Sequence, residues 1–150
     1  MVSLRKVTYS DIDLLYSWAN DPVVRRNSFN VHQISYKDHQ QWFKRVMEDE
    51  NTIQFILMDD DLPVGQIRLN LSGDEAEIGY SIAKEYRGRG YGHQILQQVV
   101  QEVRKNHPII KTLVAKVKTD NMASNRLFQS EGYFKEYICY TKDIITKPLY

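Results

Sequence analysis

The sequence predicts an α/β fold of the α+β kind, a mixed, mostly antiparallel central sheet flanked by helices. Three observations lead there. Three short β-rich runs follow one another across tight turns, the pattern of an antiparallel meander. Apolar residues recur at helical spacing on both sides of that meander. A helix and then a further strand follow it, and a strand reached through a helical crossover can lie parallel in the same sheet. The predicted order is β-α-α-β-β-β-α-β-α-β.

The chain opens on a strand candidate, Val2 to Thr8. Ser10-Asp11-Ile12-Asp13 reads as a capping box, with Ser at the N-cap and an acid three residues on. Ile12, Leu14, Leu15 and Trp18 then supply an apolar helical face, and Asn20-Asp21-Pro22 ends it and can open a second short helix. A second capping box at Ser35-Tyr36-Lys37-Asp38 leads into the stripe His39, Trp42, Phe43, Val46 and Met47. The meander follows. Thr52 to Met58 turns at Asp59-Asp60-Asp61 into Leu62 to Leu71, where Ile67, Leu69 and Leu71 alternate with Gln66, Arg68 and Asn70. Ser72-Gly73-Asp74 turns again into Glu75 to Ala83. Beyond Gly92 the period returns to helix through Ile95, Leu96, Val99, Val100 and Val103, until Asn106-His107-Pro108. Lys111 to Lys118 is the next strand, and Asn121 to Glu131 a helix closed by Gly132 as a left-handed cap. A last strand is expected over Tyr133 to Thr141.

At 150 residues the chain has the length of one domain, residues 1–150, with no repeat and no linker. Twenty Lys and Arg against 19 Asp and Glu leave a net charge of +1, which argues against a chain held on nucleic acid by bulk charge. The single cysteine, Cys139, excludes an intrachain disulfide and a cysteine-based zinc cluster. His32, His39, His93 and His107 are scattered without clustered carboxylates, so no metal site is expected. No apolar run reaches the roughly 20 residues of a membrane span. The N-terminus lacks the pattern of a signal peptide, and a cytoplasmic location is expected.

The chemistry is expected at Arg87 to Gly92, RGRGYG, between a strand and a helix. Three glycines there let the backbone approach a ligand, and the unpaired N–H groups of the following helix suit phosphate. No Lys-Ser/Thr pair completes a P-loop, and His93 stands where a dinucleotide fingerprint needs its third glycine. The pattern that does fit is Arg/Gln-x-x-Gly-x-Gly/Ala, met by Arg87, Gly90 and Gly92. With the preceding Ala76-Glu77-Ile78-Gly79-Tyr80, the element order, and Asn121-x-x-Ser124-x-x-Leu127-Phe128 before Gly132-Tyr133, the chain resembles the GNAT N-acetyltransferase superfamily over nearly its full length.

That resemblance implies a GNAT fold in which two splayed strands accept acetyl-CoA as co-substrate. It places the pantetheine arm against backbone around Ser81, Ile82 and Ala83, and the pyrophosphate on Arg87, Gly88, Arg89, Gly90, Tyr91, Gly92 and His93. Asn121 matches a position that steadies the cofactor, and it can equally be the N-cap of its helix. The reaction implied is direct attack of a primary amine on the acetyl thioester. Such an amine must first lose a proton, and Glu77 is the candidate base, with Glu75 its competitor on the same face. Many relatives carry Tyr, a proton donor to the leaving thiolate, where this chain has Phe128. Tyr133, Tyr137 and Tyr140 are available substitutes, or no acid is used.

For the acceptor, the N-terminal segment from Trp18 to Phe43 resembles the branch holding ribosomal-protein N-terminal acetyltransferases. Within it, the segment looks closest to acetyltransferases of nucleotide-linked amino sugars, as in the pseudaminic acid pathway. Trp18, Arg25, His39 and Trp42 are the candidate acceptor contacts, although the two tryptophans and His39 also suit core packing. Protein N-terminal amines and aminoglycosides are the alternative acceptors. A non-catalytic acyl-CoA-binding module and an RNA-contacting Arg/Gly turn are the readings from other classes. Asp143 to Tyr150 could pair between subunits as a homodimer.

Overall fold

A computed structural model of the chain describes residues 1–145. Five strands form one sheet in the order β1 (Val2–Lys6), β2 (Thr52–Asp59), β3 (Leu62–Ser72), β4 (Glu75–Ile82), β5 (Thr112–Ala115). The first four pair antiparallel and β5 joins β4 in parallel, so the sheet is mixed as its connections require. The helices are α1 (Ile12–Ala19), α2 (Pro22–Asn27), α3 (Tyr36–Glu48), α4 (Tyr91–Asn106) and α5 (Met122–Ser130).

Pleating divides the side chains between two layers. Phe55, Leu57, Ile67, Leu69 and Ile78 bury one face against Ile95, Leu96 and Val99 of α4, with Phe128 of α5 closing the end. On the other face Ile56 packs with Val7, Leu15 and Phe43, and Trp18 and Trp42 shield that smaller cluster. The meander turns are tight: Asp60 adopts φ 51° and Gly73 φ 60°, left-handed values that open the two hairpins.

Two expectations are corrected. The first capping box lies two residues earlier than Ser10: the Asp11 carboxylate accepts from the Thr8 N–H at 2.8 Å, and a 3-10 turn over Tyr9–Asp11 precedes α1. Arg5 fixes this register by gripping both Asp11 oxygens at 2.8 Å, which anchors the helix entry to β1. At Ser35 the cap stands as expected, its Oγ accepting from the Asp38 N–H at 3.2 Å. The strand expected over Tyr133 to Thr141 does not form. A strand exists only where its N–H and C=O groups meet a neighbour, and this segment makes no ladder with β5, leaving Phe134, Tyr137, Ile138 and Tyr140 exposed. The rest of the tail, residues 146–150, where a subunit contact was expected, lies outside the described residues.

Candidate active site

The site begins where two strands part. Parallel pairing of β4 with β5 ends at Ile78–Ala115, yet β4 continues beside β3 to Gly65–Ile82. The edge of β4 beyond Ile78 therefore faces a gap. In an antiparallel pair, alternate residues turn both backbone groups to the same neighbour. Ala83 donates to Val64 O at 2.8 Å, so Ala83, Ser81 and Gly79 face β3. By that alternation Tyr80 and Ile82 turn theirs into the gap. The Ile82 carbonyl accepts from Arg87 Nε at 3.1 Å, which leaves the Ile82 N–H and both Tyr80 groups directed at it. Of the backbone expected to meet an extended arm, Ile82 is thus placed to do so, while Ser81 and Ala83 are committed to β3.

The gap opens into a cavity of about 930 Å³ that runs from the glycine loop along β4 to Glu77. At the loop end Gly88 and Gly90 take φ 75° and 84°, where a Cβ would clash with its own backbone, and Gly90 is the N-cap of α4. No side chain caps that helix, so its first N–H groups point outward beside Gly88 and Gly90. Arg87 turns inward. Besides Ile82 it binds Asp21 Oδ1 at 3.1 Å, and Asp21 itself caps α2 through the Val23 and Val24 N–H groups. Burial acts to raise the Asp21 pKa, but Arg87 and those N–H groups outweigh it and hold the carboxyl below its ordinary value. Arg89 lies over the Tyr86 ring at 5.6 Å. Tyr91 bonds Asp59, and His93 Nδ1 meets Glu131 at 2.7 Å, tying α4 to the end of β2 and to the end of α5. Asn121 caps α5 by accepting from the Ser124 N–H at 3.2 Å.

At the other end Glu77 faces the cavity, with its carboxylate 3.0 Å from Lys116 Nζ. Both side chains are about half exposed, so the pair is open to exchange; the carboxylate raises the pKa of Lys116. Across the ladder Asn70 opposes Glu77 and Arg68 opposes Gly79. The Arg68 guanidinium lies 5.3 Å over the Trp42 ring. Deeper on the same face, Gln54 Nε2 donates to Gln66 Oε1 at 2.9 Å, and Gln66 Nε2 donates to Ser81 Oγ at 3.1 Å. On the opposite face Tyr80 Oη lies 2.8 Å from Ser124 Oγ, with the Phe128 ring edge-on to Tyr80 at 5.8 Å. Burial raises the Tyr80 pKa, partly offset by Ser124.

Among the expected acceptor contacts, only Arg25 lines this cavity. Its guanidinium is already engaged: it donates to Ala19 O at 2.7 Å, Asn30 O at 2.8 Å and Ser28 Oγ at 3.1 Å, which shapes the loop after α2. His39 is 1% exposed with Nε2 on Ile12 O, and Trp18 packs in the smaller cluster. Trp42 reaches the site indirectly, beneath Arg68. Among the tyrosines, Tyr133 meets Phe128 edge-on and lines a separate small cleft beside Leu96 and Gln97. Burial, then Glu131, pushes its pKa up to about 12. Tyr137 passes near enough to Lys116 to act on its charge, while Tyr140 is exposed.

Arg68, Asn70 and Lys116 are cavity residues that sequence reasoning did not single out, and Tyr80 and Ser124, quoted there as motif positions, were given no role. A signal for two of them was present, since Arg68 and Asn70 fall on the polar positions of an alternating strand. Alternation alone reads as a solvent face; here β3 is central, so its polar face becomes the floor of a site.

Residues 2–133 match the family described as acetyltransferase (GNAT) domain. An uncharacterized N-acetyltransferase, YfmK of Bacillus subtilis, is 30% identical over 126 residues, 84% of this chain and 80% of that protein. AAC(6')-Ib in complex with ribostamycin and coenzyme A superposes with a TM-score of 0.79 at 18% identity, over 90% of this chain and 84% of its own. The spermidine N-acetyltransferase of Vibrio cholerae in complex with CoA and spermine also gives 0.79, at 15% identity over 91% and 82%.

Proposed function

Since this chain belongs to the GNAT acetyltransferase family, an acetyl-CoA-dependent N-acetyltransferase, we propose that it acetylates the amino group of a nucleotide-linked amino sugar in the cytoplasm, as one domain spanning the chain. The observation that carries the catalytic part is the placement of Glu77 on β4, in one cavity with an unpaired strand edge and a glycine loop at a helix start. The sugar-nucleotide part is supported by the resemblance of the N-terminal segment.

The site suits acetyl-CoA by its own features. The gap offers the Ile82 N–H and the Tyr80 N–H and C=O to an extended arm, and the α4 N-terminus with Gly88 and Gly90 offers N–H donors to a pyrophosphate. Bound there, acetyl-CoA supplies an activated acetyl thioester. Arg87 holds the loop against Asp21 and Ile82. His93 lines the cavity at the loop end, Arg89 lies over the Tyr86 ring beside it, and Asn121 keeps α5 in register. The Glu77 carboxylate, directly or through water, takes the proton from the acceptor ammonium, so that nitrogen can bond to the acetyl carbon as the carbon–sulfur bond breaks. Phe128 cannot protonate the departing sulfur; the hydrogen-bonded Tyr80 and Ser124 hydroxyls line that side of the gap, and a thiolate also leaves without help.

The test is free-thiol release from acetyl-CoA against UDP-linked amino sugars, aminoglycosides, spermidine and N-terminal peptides. Selective turnover of a UDP-linked amino sugar is expected. Turnover of peptides alone would replace the sugar assignment, and CoA binding without turnover of any amine would make this a binding module.

A further inference from the structure

Arg68 is the one strong cation at the acceptor end that forms no salt bridge or hydrogen bond among the described residues, the Glu77 carboxylate acting on its charge only from a distance. Arg25 is engaged by carbonyls, Arg87 by Asp21, and Lys116 by Glu77. Arg68 instead lies over the Trp42 ring at 5.3 Å, a contact that holds the guanidinium without occupying its donors. It is partly buried, yet none of its nitrogens is among the sealed unpartnered atoms of the fold, so they reach the cavity.

The residue opposite it in the ladder is Gly79, and a Cβ built there meets nothing within 4 Å. No side chain stands between Arg68 and the cavity on the strip of β4 from Glu77 to Ser81. The charges of this end do not suit a polycation: one carboxylate, Glu77, stands among two cations, Arg68 and Lys116. A half-buried, pre-oriented fork of donors facing an empty strip is what a carboxylate or a phosphate requires.

We propose that the acceptor is an amine bearing an anionic group, and that Arg68 binds that anion above Gly79 while the amine lies toward Glu77. This inference rests on the acetyltransferase reading of the cavity. It makes Arg68 a specificity residue and disfavours polyamines and aminoglycosides as acceptors.

The experiment uses the full chain as wild type, Arg68→Gln and Arg68→Lys, with acceptors that differ only in the anion: glucosamine against glucosamine 1-phosphate, and alaninamide against alanine. Thiol release gives kcat and KM, and calorimetry with CoA present gives the Kd of glucosamine and of glucosamine 1-phosphate. The expected result is a preference for the anionic member of at least one pair of about ten- to a hundredfold. It should lie mainly in KM, collapse toward one in Arg68→Gln and be partly kept in Arg68→Lys, whose retained charge controls for folding. The pair that shows the preference separates a phosphate source from a carboxylate source. Preference for the neutral members, for kanamycin or for spermidine overturns the proposal. So does an equal loss on both members in Arg68→Gln, which would make Arg68 a support for Glu77 alone. Absence of thiol release with every amine, together with Arg68-dependent calorimetric preference for glucosamine 1-phosphate, would overturn the catalytic reading and uphold the anion site; absence of both would remove both.

Discussion

Glu77 and Asp11 show what a single carboxylate does in two settings. Glu77 is held loosely, its side chain 42% exposed beside Lys116, which suits the role of base proposed for it. Glu77→Gln is expected to lower kcat by about 100-fold or more at neutral pH. The deficit should shrink as pH approaches the amine's own pKa, where the acceptor arrives already deprotonated; steady-state rates from pH 6 to 9.5 check this. Asp11 is held tightly, 6% exposed in the fork of Arg5, and its pKa is lowered chiefly by that hydrogen bond. A carboxyl with a lowered folded-state pKa contributes stability above its unfolded value and loses it as pH falls through the folded one. Asp11→Asn should therefore cost roughly 1–2 kcal/mol near pH 7, a modest figure because Arg5 is 40% exposed. Urea titrations should show the gap from wild type closing below about pH 4. The sequence displayed Glu77, because its strand precedes a recognisable loop. It concealed the Arg5–Asp11 grip, because Ser10 offers a cap of equal quality two residues later than the one used.

Among the elements, α4 and β4 make the cofactor end of the site by what they omit: a side-chain cap on one, and a partner strand on the other. Gly90 holds the junction at φ 84°. Gly90→Ala should cost about 1–2 kcal/mol and lower the melting temperature by roughly 2–8 °C. With the pyrophosphate at the proposed position on this loop, acetyl-CoA affinity should fall with it, and calorimetric titration measures that loss. The glycines, the helical stripes and the turn residues made the meander and the helices legible, the short α2 included at Asp21-Pro22, since each depends on local chemistry. The segment after Tyr133 has the alternation and aromatics of a strand but meets no neighbour, and pairing is not written in one segment alone. The same limit applies along β4: the fingerprint marks Ser81 to Ala83, whereas only the ladder decides which of those N–H groups turn to the gap.

Across the whole molecule the two sheet faces differ in kind. One is a sealed apolar layer, and Ile67→Ala at its centre should cost about 2–5 kcal/mol in equilibrium unfolding. The other mixes a small apolar cluster with Gln54, Gln66, Arg68, Asn70 and Glu77, so the cavity takes its polar floor from this face and an apolar wall, Ile78, Tyr80 and Phe128, from the other. Ligand binding should couple the parts that meet at the cavity. Saturation with CoA to about 100 times its Kd adds roughly 2.7 kcal/mol to wild type, and the accompanying rise in melting temperature should be reduced in Gly90→Ala. Such a division is invisible to hydropathy alone, which assigns the polar residues of β3 to water.

The amide run from Gln54 to Ser81 has a direction. Each carboxamide nitrogen donates toward β4, so the Ser81 oxygen receives, and its own hydrogen stays free to donate to another acceptor. The run thus behaves as a string of arrows, and it can be turned round from its far end, two strands away. Gln54→Glu would place an oxygen where a nitrogen now donates; Gln66 would rotate to supply its own nitrogen, and its carbonyl would then claim the Ser81 hydrogen. A substitution that touches no ligand would in this way change what the cavity floor offers, from a donor to an acceptor.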